Sequence, residues 1–164
     1  GACHMQGDMY MLDSGESVEE LGQVAGDKGD NSPQKARMAA LRQDWRSITN
    51  ALIQCHLINP PLEHVLGMLN AATGWDVNAK ELARIGERIF NLKRLINLRL
   101  GLTNADDRLP RLLLQPLPDG GTLGAIPDMD VLLPAYYAAR GWDAATGRPT
   151  PAKLAELDLN TLID

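Results

Sequence analysis

Residues 78–101 read NAKELARIGERIFNLKRLINLRLG, and every feature in them belongs to one long helix. The apolar residues Leu82, Ile85, Ile89, Leu92, Leu95, Ile96 and Leu100 recur at steps of three and four, which gathers them on one broad face. Asn78 is placed as an N-cap, with Glu81 three residues on to complete a capping box, and Gly101 supplies the stop. Arg84, Glu87, Lys93 and Arg94 fall mostly off the apolar stripe. Gly86 costs about 1 kcal/mol relative to alanine inside a helix, so a close approach by another backbone is expected at that point.

The flanking sequence repeats these signals. Ser32-Pro33 pairs an N-cap hydroxyl with a proline at the first helical position, and opens a helix predicted to run to about Gln54. Its apolar positions Met38, Leu41, Trp45, Ile48 and Leu52 share a face. Asn59, Pro60 and Pro61 break that helix and open another through Leu62, Val65, Leu66 and Leu69 to Gly74. Asp128 or Asp130 caps a helix through Tyr136 and Tyr137 to Gly141, and Thr150-Pro151 starts a last one ending near Leu157. Between Thr103 and Asp128 prolines and glycines are too frequent for a continuous helix, and a loop of that length is functional or covers a partner. The expectation is an all-α, multihelical fold with a long Pro/Gly-rich loop. A loop-rich segment, 1–31, with a short candidate helix around Ser17 to Val24, precedes a helical domain, 32–164. The chain opens on Gly1-Ala2-Cys3-His4 without an initiator methionine and reads as a fragment.

Composition narrows the function. Of 164 residues, 45% are hydrophobic but only 4% aromatic, so the core is built of aliphatic residues, which suits packed helices. The net charge of -5, with bases interleaved among acids, argues against a nucleic-acid partner. No apolar run approaches the roughly 18 residues of a membrane span, so no membrane association and a cytoplasmic location are expected. With two cysteines, Cys3 and Cys55, the chain is neither a disulfide framework nor a self-sufficient metal-thiolate site. Cys3-His4 and Cys55-His56 are the chemically notable pairs, and on residue type alone a buried free thiol is the commoner state for Cys55. The four residues have zinc-ligand types without zinc-ligand spacing. Glu19-Glu20 and Asp106-Asp107 are expected to solvate the surface, and His64, among apolar neighbours, to be structural.

Longer motifs add a resemblance. Gly74-Trp75-Asp76 leads into Gly86-Glu87-Arg88-Ile89-Phe90-Asn91-Leu92 and Asn97-Leu98-Arg99-Leu100-Gly101. Asp106-Asp107-Arg108-Leu109-Pro110, Pro116-Leu117-Pro118-Asp119-Gly120, Tyr136-Tyr137, Arg140-Gly141-Trp142-Asp143 and Pro149-Thr150-Pro151-Ala152-Lys153-Leu154 follow in order. The series resembles the C-terminal region of the tungsten-containing aldehyde:ferredoxin oxidoreductase family. That resemblance implies a fragment of an enzyme oxidising aldehydes to carboxylic acids at a tungsten-bispterin (tungstopterin) centre, with a 4Fe-4S cluster passing electrons to ferredoxin. The partners implied are ferredoxin, the aldehyde substrate and the remainder of the enzyme with its N-terminal pterin-binding part; a homo-oligomer is compatible with it. The fragment alone is expected to bind no cofactor and to be inactive. Gly1-Ala2-Cys3-His4 is similar to a family motif whose histidine lies near the metal, which makes His4 the catalytic candidate. Cys55 resembles the isolated fourth cluster cysteine, the metal ligand, and ends a motif Asp-x-x-Gly-Leu-Cys that also contacts a pterin; here it reads Asn50-Ala51-Leu52-Ile53-Gln54-Cys55, which makes Asn50 a cofactor-binding candidate. Gln6 stands where the resemblance implies a basic residue. The alternative is a stand-alone helical protein-interaction module derived from such an enzyme, without metal chemistry.

Overall fold

The structure, a computed structural model, describes residues 5–55 and 57–162. Among these residues six α-helices follow in order: α1 (Tyr10–Asp13), α2 (Pro33–Ala51), α3 (Leu62–Thr73), α4 (Ala79–Arg99), α5 (Met129–Arg140) and α6 (Pro151–Glu156). The fold is all-α, and among the described residues strand-like pairing is confined to the isolated bridges Val18–Gln23 and Trp142–Pro149. No helix is long and apolar enough to cross a membrane among the described residues.

Local chemistry sets the helix ends. Ser32 Oγ accepts from the Lys35 amide at 3.4 Å at the start of α2. Asn78 and Glu81 close a reciprocal capping box at 3.0 Å in each direction at the start of α4. Asp128 caps α5, and Thr150 caps α6 with Pro151 in its first turn. The region 103–128 contains two 3-10 turns, Asn104–Asp106 and Arg111–Leu114, rather than a helix. The candidate helix at Ser17 to Val24 is reduced to the 3-10 turn Glu19–Leu21, because the Val18–Gln23 bridge closes the segment as a tight loop. Helix α2 stops at Ala51, three residues short of the expected end, and α1 carries no periodic signal long enough to announce it.

Helix α2 is the axis of the molecule, packed against α4 and α5. Trp45 and Ile48 of α2 meet Leu21, Leu62, Val65 and Leu82 in the main apolar cluster. Gly86 is where α2 and α4 cross: a Cβ there would overlap the Asp44 carbonyl oxygen and lie 2.9 Å from Ile48 Cδ1. A second cluster of Leu154, Leu157 and Leu159 packs on Leu95. From Arg42 to Thr49 every α2 residue except Gln43 is buried, polar ones included. Arg46 Nη2 pairs with Asp8 Oδ2 at 2.7 Å and Arg42 Nε donates to the Asp8 carbonyl at 3.1 Å, so the segment before α1 folds onto α2. Burial, together with the like charge of Arg46, pulls Arg42 down to about 10.

The long stripe of α4 is only partly used. Leu82 is fully buried, whereas Leu92 and Ile96 face solvent and Leu100 is 74% exposed. Arg94, placed off the stripe by its charge, is buried instead, because Asp107 and the ring of Trp142 receive its guanidinium.

Candidate functional site at the foot of the central helix

Gln6 joins the start of the chain to two helices. Its Nε2 donates to the Gln43 carbonyl at 3.0 Å and to Ser47 Oγ at 3.1 Å, while its Oε1 accepts from Asn50 Nδ2 at 3.3 Å and from Lys93 Nζ of α4 at 3.2 Å. Positions 43, 47 and 50 lie on one side of α2 because steps of four and three return to the same face. Two of the departures from the resembled motifs, glutamine at 6 and asparagine at 50, are therefore in contact. A neutral amide pair stands where a basic and an acidic residue are implied, an exchange that conserves net charge.

Beyond Asn50 the helix ends in a Schellman turn, with Gln54 N–H donating to the Thr49 carbonyl at 2.9 Å and Ile53 N–H to the Asn50 carbonyl at 3.1 Å. Ile53 sits in the left-handed region, φ 54°, and is 93% exposed. Helices α4 and α5 end in the same hydrogen-bond pattern with Gly101 and Gly141 at the equivalent left-handed position. The backbone at 53 thus keeps a conformation that favours glycine although the residue is β-branched. Cys55 follows as an exposed free thiol, which corrects the expectation of a buried one: the turn carries it past the end of α2, out of the core. Ile58 N–H donates back to the Cys55 carbonyl at 3.2 Å.

Beside Gln6 opens a cleft of about 290 Å³ between α4, α5 and the turn after α5. Phe90 and Trp142 stack in it at 6.4 Å and 17°, and Tyr136 meets the Trp142 ring edge-on at 5.7 Å and 89°. Trp142 Nε1 donates to the buried Asn91 Oδ1 at 2.7 Å. Arg94 lies 4.6 Å over the Trp142 ring, holds both Asp107 oxygens at 2.7 and 2.5 Å and donates to the Gly147 carbonyl at 2.9 Å. Burial, reinforced by a hydrogen bond to Asp107, pushes the Tyr137 phenol up to about 12, so it stays a donor. Behind the cleft Arg140 donates to Asp44, to the Ala40 carbonyl and to Gln43 at 2.5–2.8 Å, and lies over the Phe90 ring. Burial pushes the Asp44 carboxyl up to about 6 against the pull of Arg140.

Of the residues singled out in the sequence, Asn50 and Cys55 lie at this end of α2, five residues apart, and Gln6 connects Asn50 to the start of the chain. His4, Cys3 and His56 lie outside the described residues. His64 is exposed on α3 rather than structural, because Leu62 and Val65 are the α3 residues that turn into the core around it. Asp106 and Asp107 diverge: Asp106 caps Thr103, and Asp107 joins Arg94 and Tyr137 instead of solvating the surface. Lys93, Asp107 and Trp142 carried no functional signal of their own; the Tyr136-Tyr137 and Arg140-Gly141-Trp142-Asp143 motifs were the trace of this cluster. Among the described residues no group of three or more His, Cys, Asp or Glu side chains is placed to hold a metal ion.

The family model "Aldehyde ferredoxin oxidoreductase, domains 2 & 3" matches residues 1–159. A tungsten-containing aldehyde ferredoxin oxidoreductase of Pyrococcus abyssi is 39% identical over 168 residues, covering 99% of this chain and 26% of that protein. Enzymes of the same description from Thermococcus kodakarensis and Pyrococcus furiosus are 38% and 37% identical, each with 97% and 26% coverage. The active site complex BamBC of benzoyl coenzyme A reductase, solved with 1,5-dienoyl-CoA, shares the fold with a TM-score of 0.61 at 24% identity, over 79% of this chain and 20% of that one. Fold and match together define a helical domain of an oxidoreductase. The chain belongs to the aldehyde ferredoxin oxidoreductase family, and it spans about a quarter of the length of the curated relatives it matches.

Proposed function

We propose that the chain is the C-terminal helical part of a cytoplasmic, tungsten-dependent enzyme that oxidises aldehydes to carboxylic acids and passes the electrons to ferredoxin. The observation that carries this reading is the meeting of two motif-bearing segments at one end of α2: Gln6, two residues after His4, is hydrogen-bonded to Asn50, at the head of the turn that presents Cys55.

The residues here fit a partial role in holding cofactors. Cys55 offers an exposed thiol, suited to give one thiolate to a 4Fe-4S cluster, which ordinarily takes four cysteines. The remaining ligands and most of the pterin contacts would come from the rest of the enzyme. Asn50 would meet a pterin edge as an amide, able to donate and accept, where a carboxylate only accepts. When bound, the tungsten-bispterin centre would supply two-electron chemistry and the cluster single-electron transfer. What this chain contributes is placement. Gln6 fixes the backbone two residues from His4, whose imidazole is of a type suited to moving a proton at the substrate. The chain alone is proposed to be inactive.

The test is tungsten and iron analysis of the full-length protein, with an aldehyde-dependent dye-reduction assay and the variant Cys55→Ala. Metal-bearing protein that reduces dye with aldehyde, and loses iron in the variant, is expected. Full-length protein with neither metal nor aldehyde-dependent reduction would overturn the reading.

A further inference from the structure

The cleft beside Gln6 carries an inference that stands apart from the tungsten chemistry. Its volume of about 290 Å³ falls just under that of typical small-molecule sites, which run from roughly 300 to 1,000 Å³, and suits a small ligand. Its floor is aromatic: the stacked Phe90 and Trp142, with Tyr136 edge-on to Trp142. Arg94 lies over Trp142 and Arg140 over Phe90, so an apolar body meets this floor at the ring edges and surface that those two leave open.

The charge at the cleft is unequal. Arg94 is committed, with both Asp107 oxygens, the Gly147 carbonyl and the Trp142 ring as its partners. Asp107 is committed in turn to Arg94 and the Tyr137 hydroxyl, so this pair adds no net charge to the cavity. Lys93 is different. Its exposed ammonium donates to the neutral Gln6 at 3.2 Å, and no carboxylate lies within ion-pair distance of it among the described residues. One N–H of three is used there, which leaves two donors at the rim. Asn97, one turn further along α4, lines the same cleft with an amide.

We propose that the cleft floored by Phe90 and Trp142 and rimmed by Lys93 and Asn97 binds a small organic monoanion, a carboxylate on a planar or compact apolar body, with Lys93 as its counter-ion. Bare phosphate would leave the aromatic floor unused, and an organic cation would meet Lys93 with like charge. A neutral body of the same shape would forgo the charge-assisted hydrogen bond, roughly twice as strong as a neutral one.

Benzoate is the probe. In the intact protein, trace acetylation of lysines with acetic anhydride, read by mass spectrometry of the peptide bearing Lys93, reports occupancy at that amine. Benzoate is expected to slow acetylation of Lys93 saturably while Lys28 and Lys80 react unchanged. Benzyl alcohol, benzylammonium and inorganic phosphate at equal concentration are expected to protect at least several-fold less. Equilibrium dialysis with labelled benzoate then compares variants: Lys93→Met and Lys93→Gln each weaken binding by on the order of tenfold, and Lys93→Arg retains it. Two neutral variants of an exposed side chain guard against a local folding defect in either. Equal protection by benzyl alcohol, equal protection by phosphate, no protection by benzoate, or unchanged affinity in both neutral variants would each overturn the proposal. None of these outcomes depends on whether the protein carries tungsten or iron.

Discussion

Ile53 holds a left-handed backbone at the end of α2, φ 54°, with its side chain 93% exposed. That conformation costs a β-branched residue about 1–2 kcal/mol, and solvent returns nothing for the exposed side chain. Ile53→Gly is accordingly expected to stabilise the chain by about 1 kcal/mol after the extra chain entropy of glycine is set against the relieved strain. This corresponds to a rise in Tm of about 2–4 °C for a chain of this size, measured by thermal unfolding followed by circular dichroism. An unchanged or lowered Tm would show that the turn is not strained. Asp44 makes a second residue-level case. Its carboxyl is pushed up to about 6 from the ordinary 3.8, so the folded state holds its proton more tightly than the unfolded chain does. The contribution of this group to stability is therefore fully present below about pH 4 and is lost as pH rises through 6. Denaturant unfolding of the protein and of Asp44→Asn, which cannot titrate, at pH steps from 4 to 7 should show the unsubstituted protein losing ground to the variant. The total is expected to be on the order of 2–3 kcal/mol at about 1.4 kcal/mol per pKa unit. A difference constant across that range would mean that Arg140 holds the carboxylate ionised throughout.

Helix crossing is the next scale. At an open helix position, alanine in place of glycine gains about 1 kcal/mol, but at Gly86 the added methyl would overlap the Asp44 carbonyl and press on Ile48. Gly86→Ala should therefore destabilise, by about 1–3 kcal/mol, as α2 and α4 are forced apart, and chemical denaturation resolves that sign directly. The crossing was legible because a glycine in a strong helical pattern asks for a reason, and so were most helix ends, because caps at Ser32, Asn78 and Thr150 act within three or four residues. The full burial of α2 was not. Arg42, Asp44 and Arg46 look like a solvated face until Asp8 and Arg140, 34 to 96 residues away, are brought against them. The site divides in the same way. Asn50 and Cys55 stood out by local motif, whereas the bond between Gln6 and Lys93 spans 87 residues and has no local signature.

At the scale of the whole molecule, apolar side chains outside the core form much of the surface. Leu112, Leu113 and Leu117 of the Pro/Gly-rich loop are exposed, and Leu123 is 94% exposed. At the foot of α2, Leu57 is 91% exposed beside Ile53 and Ile58, and along α4 the outward half of the stripe runs through Leu92, Ile96 and Leu100. Scattered single exposures are ordinary, whereas large apolar side chains that join into one patch mark a surface that another body covers. A chain that spans about a quarter of its relatives has, in them, three further quarters to pack against. Studied by itself it should self-associate with rising concentration and enhance the fluorescence of an apolar dye. Sedimentation velocity over a hundredfold concentration range tests this, and serine at Ile53, Leu57 and Leu123 together should shift the distribution towards monomer without lowering Tm, because none of the three is in the core. A clean monomer at every concentration with no dye response would mean that these side chains do not form continuous surface. The apolar periodicity of α4 would then reflect helix formation rather than a buried contact.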